Sequence, residues 1–148
     1  MQTAAKHFIE RGQGQIINVS SFLGRVPMAP PRSACNAAKH ALNALTANIR
    51  VDLRAINPDI QVTLVMPAMV ATDFARNASN AAPGTGIPSG AHVQRVDEVA
   101  EVIASVIEKP VAEVYTNPAS ADLVRRYFAD VGAFEAQNGA PPAPAGAR

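Results

Sequence analysis

Two short apolar runs separated by a long helical pattern constrain this fold more than any other feature of the chain. Residues 16–19 form a β-rich run, and residues 60–66 are almost wholly apolar. Between the two runs, apolar residues keep helical spacing from position 33 to about 56, where Asn57 and Pro58 stop the helix. A strand, a helix of this length and a second strand favour a parallel pair, because parallel strands need a long crossover connection.

The rest of the chain continues this alternation. Residues 1–11 predict a helix, and a clear apolar face predicts another that starts near Asp97 and is closed by Pro110. A third strand is expected at 111–116 and a last helix at 121–129. This order predicts an α/β fold with about three parallel strands, right-handed crossovers and helices on both faces. Ligands bind such sheets beyond the carboxyl ends of the strands.

A serine pair lies at such an end, directly after the first strand. Ser20 and Ser21 are followed by Gly24, and the next helix, predicted from position 33, carries Cys35 and, one turn later, Lys39. This arrangement resembles the catalytic segment of the short-chain dehydrogenase/reductase family, Asn-x-Ser-Ser-x-x-Gly followed by Tyr-x-x-x-Lys. Cys35 stands where the family has tyrosine. The resemblance implies a Rossmann-like sheet of which this chain supplies the C-terminal half.

The resemblance also implies a reaction, namely hydride transfer between NAD or NADP and a small carbonyl or alcohol substrate. Ser21 would hold the substrate oxygen, and Lys39 would stabilise a deprotonated proton donor and bind the nicotinamide ribose. Cys35 would occupy the proton-donor position. Its sulfur lies one bond beyond Cβ, whereas a phenolic oxygen projects several ångströms further. We therefore expect little or no native-type turnover.

A second segment of the family pattern follows the strand at 60–66. The residues from Pro67 to Thr72 resemble the Pro-Gly-x-x-x-Thr turn that lies against the nicotinamide, with Ala68 in place of glycine. Pro67, Val70 and Thr72 are therefore candidate cofactor-binding residues. Val70 would offer its backbone N–H to the carboxamide and Thr72 its hydroxyl. The sequence shows no spacing of residues suited to a metal site.

Composition excludes several other classes of function. A net charge of +1 offers no basic surface for nucleic acid and no polybasic patch for a membrane. The first residues lack the apolar run of a signal peptide, and no stretch approaches the ~20 apolar residues that span a bilayer. The single cysteine favours a reducing, cytoplasmic setting. We expect one domain over residues 1–133 and a disordered Ala/Pro-rich tail over 134–148.

The pyrophosphate-binding part of the family pattern was not found. The Gly-dense stretches near positions 12–14 and 84–86 do not lie between a strand and a helix, as the family's Gly-rich turn does. The sequence therefore predicts a truncated fold, consistent with a fragment or a remnant of a longer gene. The strand near 15–20 would then have a bare, apolar edge that invites pairing with another chain.

Two other classes of function stay open. A non-catalytic binding or oligomerisation subunit, or a pseudoenzyme remnant, would use the helices near 1–11 and 33–56, which commonly form the family's dimer interface. A homo-oligomer is expected through these helices in either case. A cysteine-nucleophile enzyme would use Cys35 with Lys39 or His40, since a nearby ammonium at a helix start lowers a thiol pKa.

Overall fold

The computed structural model describes residues 1–28, 33–74 and 92–138. The elements alternate as the sequence pattern predicts, and a 3₁₀ turn at Phe22–Gly24 follows the first strand. In chain order they are α1 (Gln2–Arg11), β1 (Gly14–Val19), α2 (Ser33–Ile56), β2 (Ile60–Met66), α3 (Val96–Glu108), β3 (Glu113–Tyr115), α4 (Ala119–Ala129) and α5 (Val131–Asn138).

The three strands form one parallel sheet in the order β1-β2-β3. Ile16 pairs with Val62 across the first ladder, and Leu64 pairs with Glu113 across the second. Because the strands are parallel, their carboxyl ends meet at one edge of the sheet. The predicted Rossmann-like architecture is confirmed, and so are the bounds of the helix at 33–56 and the strand at 60–66.

The helices cover both faces of the sheet. On one face, α1 and α2 pack on a core of Ile16, Leu53, Ile60 and Val62. On the other face, Gln15 Nε2 donates to the carbonyl of Val106 in α3 at 2.6 Å. Consecutive residues of a strand point to opposite faces, so Gln15 and Ile16 place α3 and α2 on opposite sides.

This arrangement corrects one expectation about the connections. The crossovers from β1 to β2 and from β2 to β3 step in the same direction across the sheet, but α2 and α3 lie on opposite faces. The two crossovers therefore have opposite hands. The expectation that both are right-handed is wrong for one of them. Two right-handed crossovers between strands that follow in sequence order would place both helices on the same face of the sheet.

The C-terminal part differs from the sequence prediction in its bounds. The strand expected at 111–116 spans only Glu113–Tyr115. The helix expected at 121–129 begins at Ala119 and is followed by a further helix, α5, at Val131–Asn138. Phe134 of α5 is buried, and its ring meets that of Tyr127 edge-on with centroids 5.4 Å apart. Residues 134–138, expected to belong to a disordered tail, are thus helical. Residues 139–148 of that tail lie outside the described residues.

The outer edge of β1 carries backbone groups without partners in the described part of the chain. Gly14 N donates to Asp59 O and Ser20 N to Val65 O, so the even-numbered positions bond to β2. The N–H and C=O groups of Gln15, Ile17 and Val19 point the other way, as alternation along a strand requires.

Within the described residues, no helix has both the length and the apolar character needed to cross a membrane.

Candidate active site

The serine pair continues from β1 at the carboxyl edge of the sheet. Ser20 is buried, its N–H extends the ladder to Val65 O at 2.8 Å, and its Oγ donates to the backbone carbonyl of Lys39 at 3.4 Å. Ser21 is half-buried and extended, and its Oγ accepts from Leu23 N at 3.1 Å. This bond caps the 3₁₀ turn and fixes the oxygen. The Ser21 hydroxyl proton has no acceptor among the described residues, so it can be donated to a ligand.

The turn that carries Ser21 packs directly on the first half of α2. Asn43 Nδ2 donates to Gly24 O at 2.8 Å, and Gly24 lies so close to α2 that a methyl group there would be 2.8 Å from Lys39 O. Together with the Ser20 bond, these contacts hold the backbone of Lys39 against both sides of the Ser21 turn. The Lys39 side chain is half-buried and has no ion pair or hydrogen bond to other described residues. Its ammonium is therefore available to a ligand.

Cys35 lies one helical turn before Lys39 in α2. Its thiol is free and half-buried. Residues four apart lie on the same side of a helix, so the predicted proximity of the two positions follows from the helix itself. His40 is differently placed: its Nδ1 lies 2.9 Å from Asn36 O, to which it donates. This bond leaves Nε2 as the free ring nitrogen, but residues five apart do not share a helix face, and this spacing weighs against a Cys35–His40 dyad.

The residues after β2 lie at the same edge of the sheet. Pro67 O accepts from Phe22 N at 2.8 Å, which joins the end of β2 to the turn after β1. Val70 is half-buried and forms a parallel bridge with Gln94. Thr72 is exposed, and its Oγ1 accepts from Phe74 N at 3.4 Å. The turn that carries Ser21 is therefore in contact with the backbone of both Lys39 and Pro67, and Val70 and Thr72 follow Pro67 along the chain.

Sequence reasoning missed the pair that holds this segment. Gln94 and Thr116 are both buried, and they exchange two hydrogen bonds: Gln94 Nε2 donates to Thr116 O at 3.0 Å, and Thr116 Oγ1 donates to Gln94 Oε1 at 2.6 Å. Thr116 directly follows β3, and a polar residue at the carboxyl end of a strand is typical of a functional site, so its position could have been predicted from the sequence. Gln94 has no such local signal.

A charged cluster near β3 was missed as well. Arg25, just after the 3₁₀ turn, makes two 2.7 Å hydrogen bonds to the carboxylate of Glu113, and Arg50 of α2 lies 3.8 Å from the same carboxylate. Burial raises the pKa of the neighbouring Tyr115 above its ordinary value, and the positive charge of Arg25 opposes this shift. The cluster ties the loop after β1 to the far strand of the sheet.

Comparison with known proteins places this geometry in context. The family model described as short chain dehydrogenase matches residues 1–83. "Dehydrogenase/reductase SDR family member 11" of Mus musculus is 32% identical over 102 residues, covering 66% of this chain and 38% of that protein. "Short-chain type dehydrogenase/reductase" of Picea abies is 36% identical over 104 residues, covering 68% and 37%. The chain thus spans less than half the length of these curated relatives.

Solved structures show the same likeness in three dimensions. A short chain dehydrogenase from Burkholderia cenocepacia J2315, in complex with NADP, matches with a TM-score of 0.71 and 24% identity over 93% of this chain and 52% of that chain. The acetoin dehydrogenase YohF from Salmonella typhimurium matches with a TM-score of 0.60 and 28% identity, over 79% and 51%. The first likeness is one of fold, given its low identity.

Proposed function

The chain belongs to the short-chain dehydrogenase family, and from that premise we propose that it forms the substrate-facing and nicotinamide-facing half of an oxidoreductase. The reaction class is hydride transfer between NAD or NADP and a small carbonyl or alcohol. One observation carries the proposal: the turn bearing Ser21 is packed against the helical turn bearing Lys39 at the carboxyl edge of the sheet. Ligands of parallel sheets bind at this edge.

The chain's own residues fit the nicotinamide end of such a cofactor. The bridge to Gln94 is formed by the carbonyl of Met69 and the N–H of Ala71. Because peptide groups alternate in direction along an extended chain, the N–H and C=O of Val70 point away from Gln94. Neither group of Val70 has a partner among the described residues. A carboxamide requires one donor and one acceptor, and Val70 offers both. Lys39 would hold the adjoining ribose, and the bound cofactor would supply the hydride.

The substrate oxygen would be held by two groups. The Ser21 hydroxyl, whose oxygen is fixed by Leu23 N, would donate its proton in a hydrogen bond to the substrate carbonyl. The Lys39 ammonium would add positive charge near the oxygen as negative charge develops there. A proton must then reach that oxygen. Cys35 lies one helical turn before Lys39 in α2 and has a short side chain, so proton transfer from its thiol would need a bridging water.

We therefore propose that turnover is impaired. Positioned acid–base catalysis contributes about 10²- to 10⁴-fold, and a short thiol in place of a phenol forfeits much of it. The chain's single cysteine favours a cytoplasmic setting, where that thiol stays reduced.

A second candidate is a non-catalytic binding or oligomerisation subunit, and a specific observation favours it. Apolar side chains are exposed on α1 and α2, the helices expected to form a homo-oligomer; they are Ile9, Leu45, Val51 and Ile56. A protein that buries these side chains between copies and binds no dinucleotide would be a scaffold derived from the enzyme family.

Saturation-transfer NMR with NADPH and NADH separates the two candidates. If the chain is the nicotinamide-facing half, the nicotinamide protons of the dinucleotide should receive more saturation than the adenine protons. Lys39→Met should weaken this transfer, whereas Lys109→Met, outside the site after α3, should leave it unchanged. Absence of transfer from a chain that self-associates would favour the scaffold, and equal saturation of both rings would contradict the proposed orientation.

A further inference from the structure

Gln94 holds the three residues 69–71, here called the Val70 segment, in place at the carboxyl edge of the sheet. It makes four hydrogen bonds, two through its backbone and two through its side chain. The backbone pair joins it to Met69 and Ala71, on either side of Val70. The side-chain pair joins it to Thr116 at the end of β3. A single buried residue thus connects the chain after β2 to the end of β3.

We propose that Gln94 and Thr116 act as positioning residues that aim the backbone of Val70 at the nicotinamide carboxamide. This inference rests on the proposed function and adds to it the residues that set the geometry of the cofactor-binding turn. Gln94 accepts from Ala71 N at 2.9 Å and donates to Met69 O at 2.8 Å. Rotation of the Val70 peptide groups toward Gln94 would break one of these bonds.

The side-chain pair fixes Gln94 in turn. Thr116 N donates to Met66 O at 3.3 Å, so Thr116 is itself part of the sheet edge. Its hydroxyl then supplies the bond to Gln94 Oε1, and both residues are about 95% buried. Water cannot readily replace a lost partner at this depth, so removal of the hydroxyl leaves a buried amide oxygen unsatisfied. The amide would then shift to find a partner, and the bridge to Val70 would shift with it.

The sequence position of Gln94 gives the pair a further consequence. Met69 and Gln94 belong to two separate described stretches of the chain, residues 33–74 and 92–138. The bridge therefore joins these two stretches beside Val70. A change at Thr116 should thus alter the geometry of the cofactor-binding turn, although Thr116 lies two strands away from β1.

Thr116→Val tests the proposal in the whole chain, because it removes the hydroxyl and keeps the shape. Thr116→Ser keeps the hydroxyl and serves as the conservative rescue. Thr63→Val is the matched control: Thr63 is equally buried, and its Oγ1 donates to Val111 O at 2.7 Å, remote from Gln94. Two quantities are measured, the hydrogen exchange of the Ala71 amide by NMR and the affinity for NADPH.

Thr116→Val is expected to speed exchange of the Ala71 amide and to weaken NADPH binding, each by about tenfold. Thr116→Ser should stay within about twofold of the wild type. Thr63→Val should lower thermal stability without changing either quantity. Similar behaviour of Thr116→Val and Thr63→Val would overturn the positioning role. If the wild type binds no NADPH, the proposed function fails and the cofactor role fails with it, while the Ala71 exchange still decides whether the pair holds the segment.

Discussion

Gly24→Ala should destabilise the chain by closing the contact between the Ser21 turn and α2. A methyl group at Gly24 would lie 2.5 Å from Asn43 Nδ2 and 2.8 Å from Lys39 O. Real Cβ atoms do not approach other atoms this closely, so something must move. The Asn43 amide can rotate away, but the Lys39 carbonyl belongs to the helix backbone and cannot.

The size of the effect follows from sterics rather than from backbone conformation. Among the described glycines only Gly12 has positive φ, so alanine at position 24 meets no left-handed strain. Overpacking of a well-packed site costs about 1–3 kcal/mol, and the backbone contact favours the middle of this range or above. About 2 kcal/mol corresponds to a midpoint about 1 M lower in urea, for a denaturant slope near 2 kcal/mol/M.

Urea unfolding followed by far-ultraviolet circular dichroism measures this loss, since the chain has no tryptophan. Gly132→Ala is the matched control. Its methyl group would have Asp130 Oδ1 at 3.7 Å as nearest atom, and inside helix α5 alanine should stabilise by about 0.5–1 kcal/mol. The two substitutions therefore have opposite expected signs.

A free energy of unfolding for Gly24→Ala within about 0.5 kcal/mol of the wild type would contradict the predicted clash, since a change of that size is typical of a surface substitution. A second comparison separates the two contacts. In an Asn43→Ala background the amide contact is gone and only the Lys39 carbonyl remains. The cost of Gly24→Ala should then fall but not vanish, and full recovery would show that the helix backbone yields.

Three further predictions concern a buried phenol, an oligomer surface and the proton donor. Burial raises the pKa of Tyr115, so its contribution to stability is fully present below the unfolded value near 10 and is lost as pH rises through the higher folded value. Tyr115→Phe should reduce the alkaline loss of stability in urea titrations at rising pH; an unchanged pH dependence would contradict the assignment. Val51 is 69% exposed on α2 and is expected in the homo-oligomer interface, so the Val51→Asp variant should sediment as a monomer. Ile107 is 58% exposed on α3, outside that interface, and Ile107→Asp should leave the oligomer intact. Identical sedimentation of the two variants would place the interface elsewhere. In a chain extended by the N-terminal half of a short-chain dehydrogenase, Cys35→Tyr should raise NADPH-dependent carbonyl reduction by about 10²-fold or more, with Cys35→Ser as control; equal rates for the two would mean that reach is not the limitation.

The strands and long helices could be predicted because their signals are local. The apolar spacing over 33–56 and the unbroken apolar run over 60–66 each specify one element without reference to the rest of the chain. The helix predicted over residues 1–11 also ends at Arg11, and Gly12 caps it with φ of 81° and its N–H bonded to Phe8 O. The helix α5 escaped prediction because it has little apolar periodicity of its own. It depends on the packing of Phe134 against Tyr127.

In the candidate site too, residues with a local sequence pattern could be predicted, and residues that meet only in the folded chain could not. Ser21, Cys35 and Lys39 could be proposed from spacing along the chain, and their roles stay predictions until they are tested. Gln94 and Thr116 are 22 positions apart, and Arg25 and Glu113 are 88 apart. Such pairs form only once the sheet is assembled, and no single-sequence pattern connects them. The hand of the second crossover was missed for a similar reason, since it depends on which face α3 covers.

The outer edge of β1 should limit the protein concentration at which this chain stays monodisperse. The peptide groups that have no partner among the described residues recur along this edge at every second position. Their spacing is about 6.6 Å, which any extended segment can match whatever its side chains. The strand holds no charged residue to repel such an addition, and Val19 at its end is 46% exposed. Light scattering should therefore rise steeply with protein concentration, and a lysine introduced at Ile17 should suppress the rise.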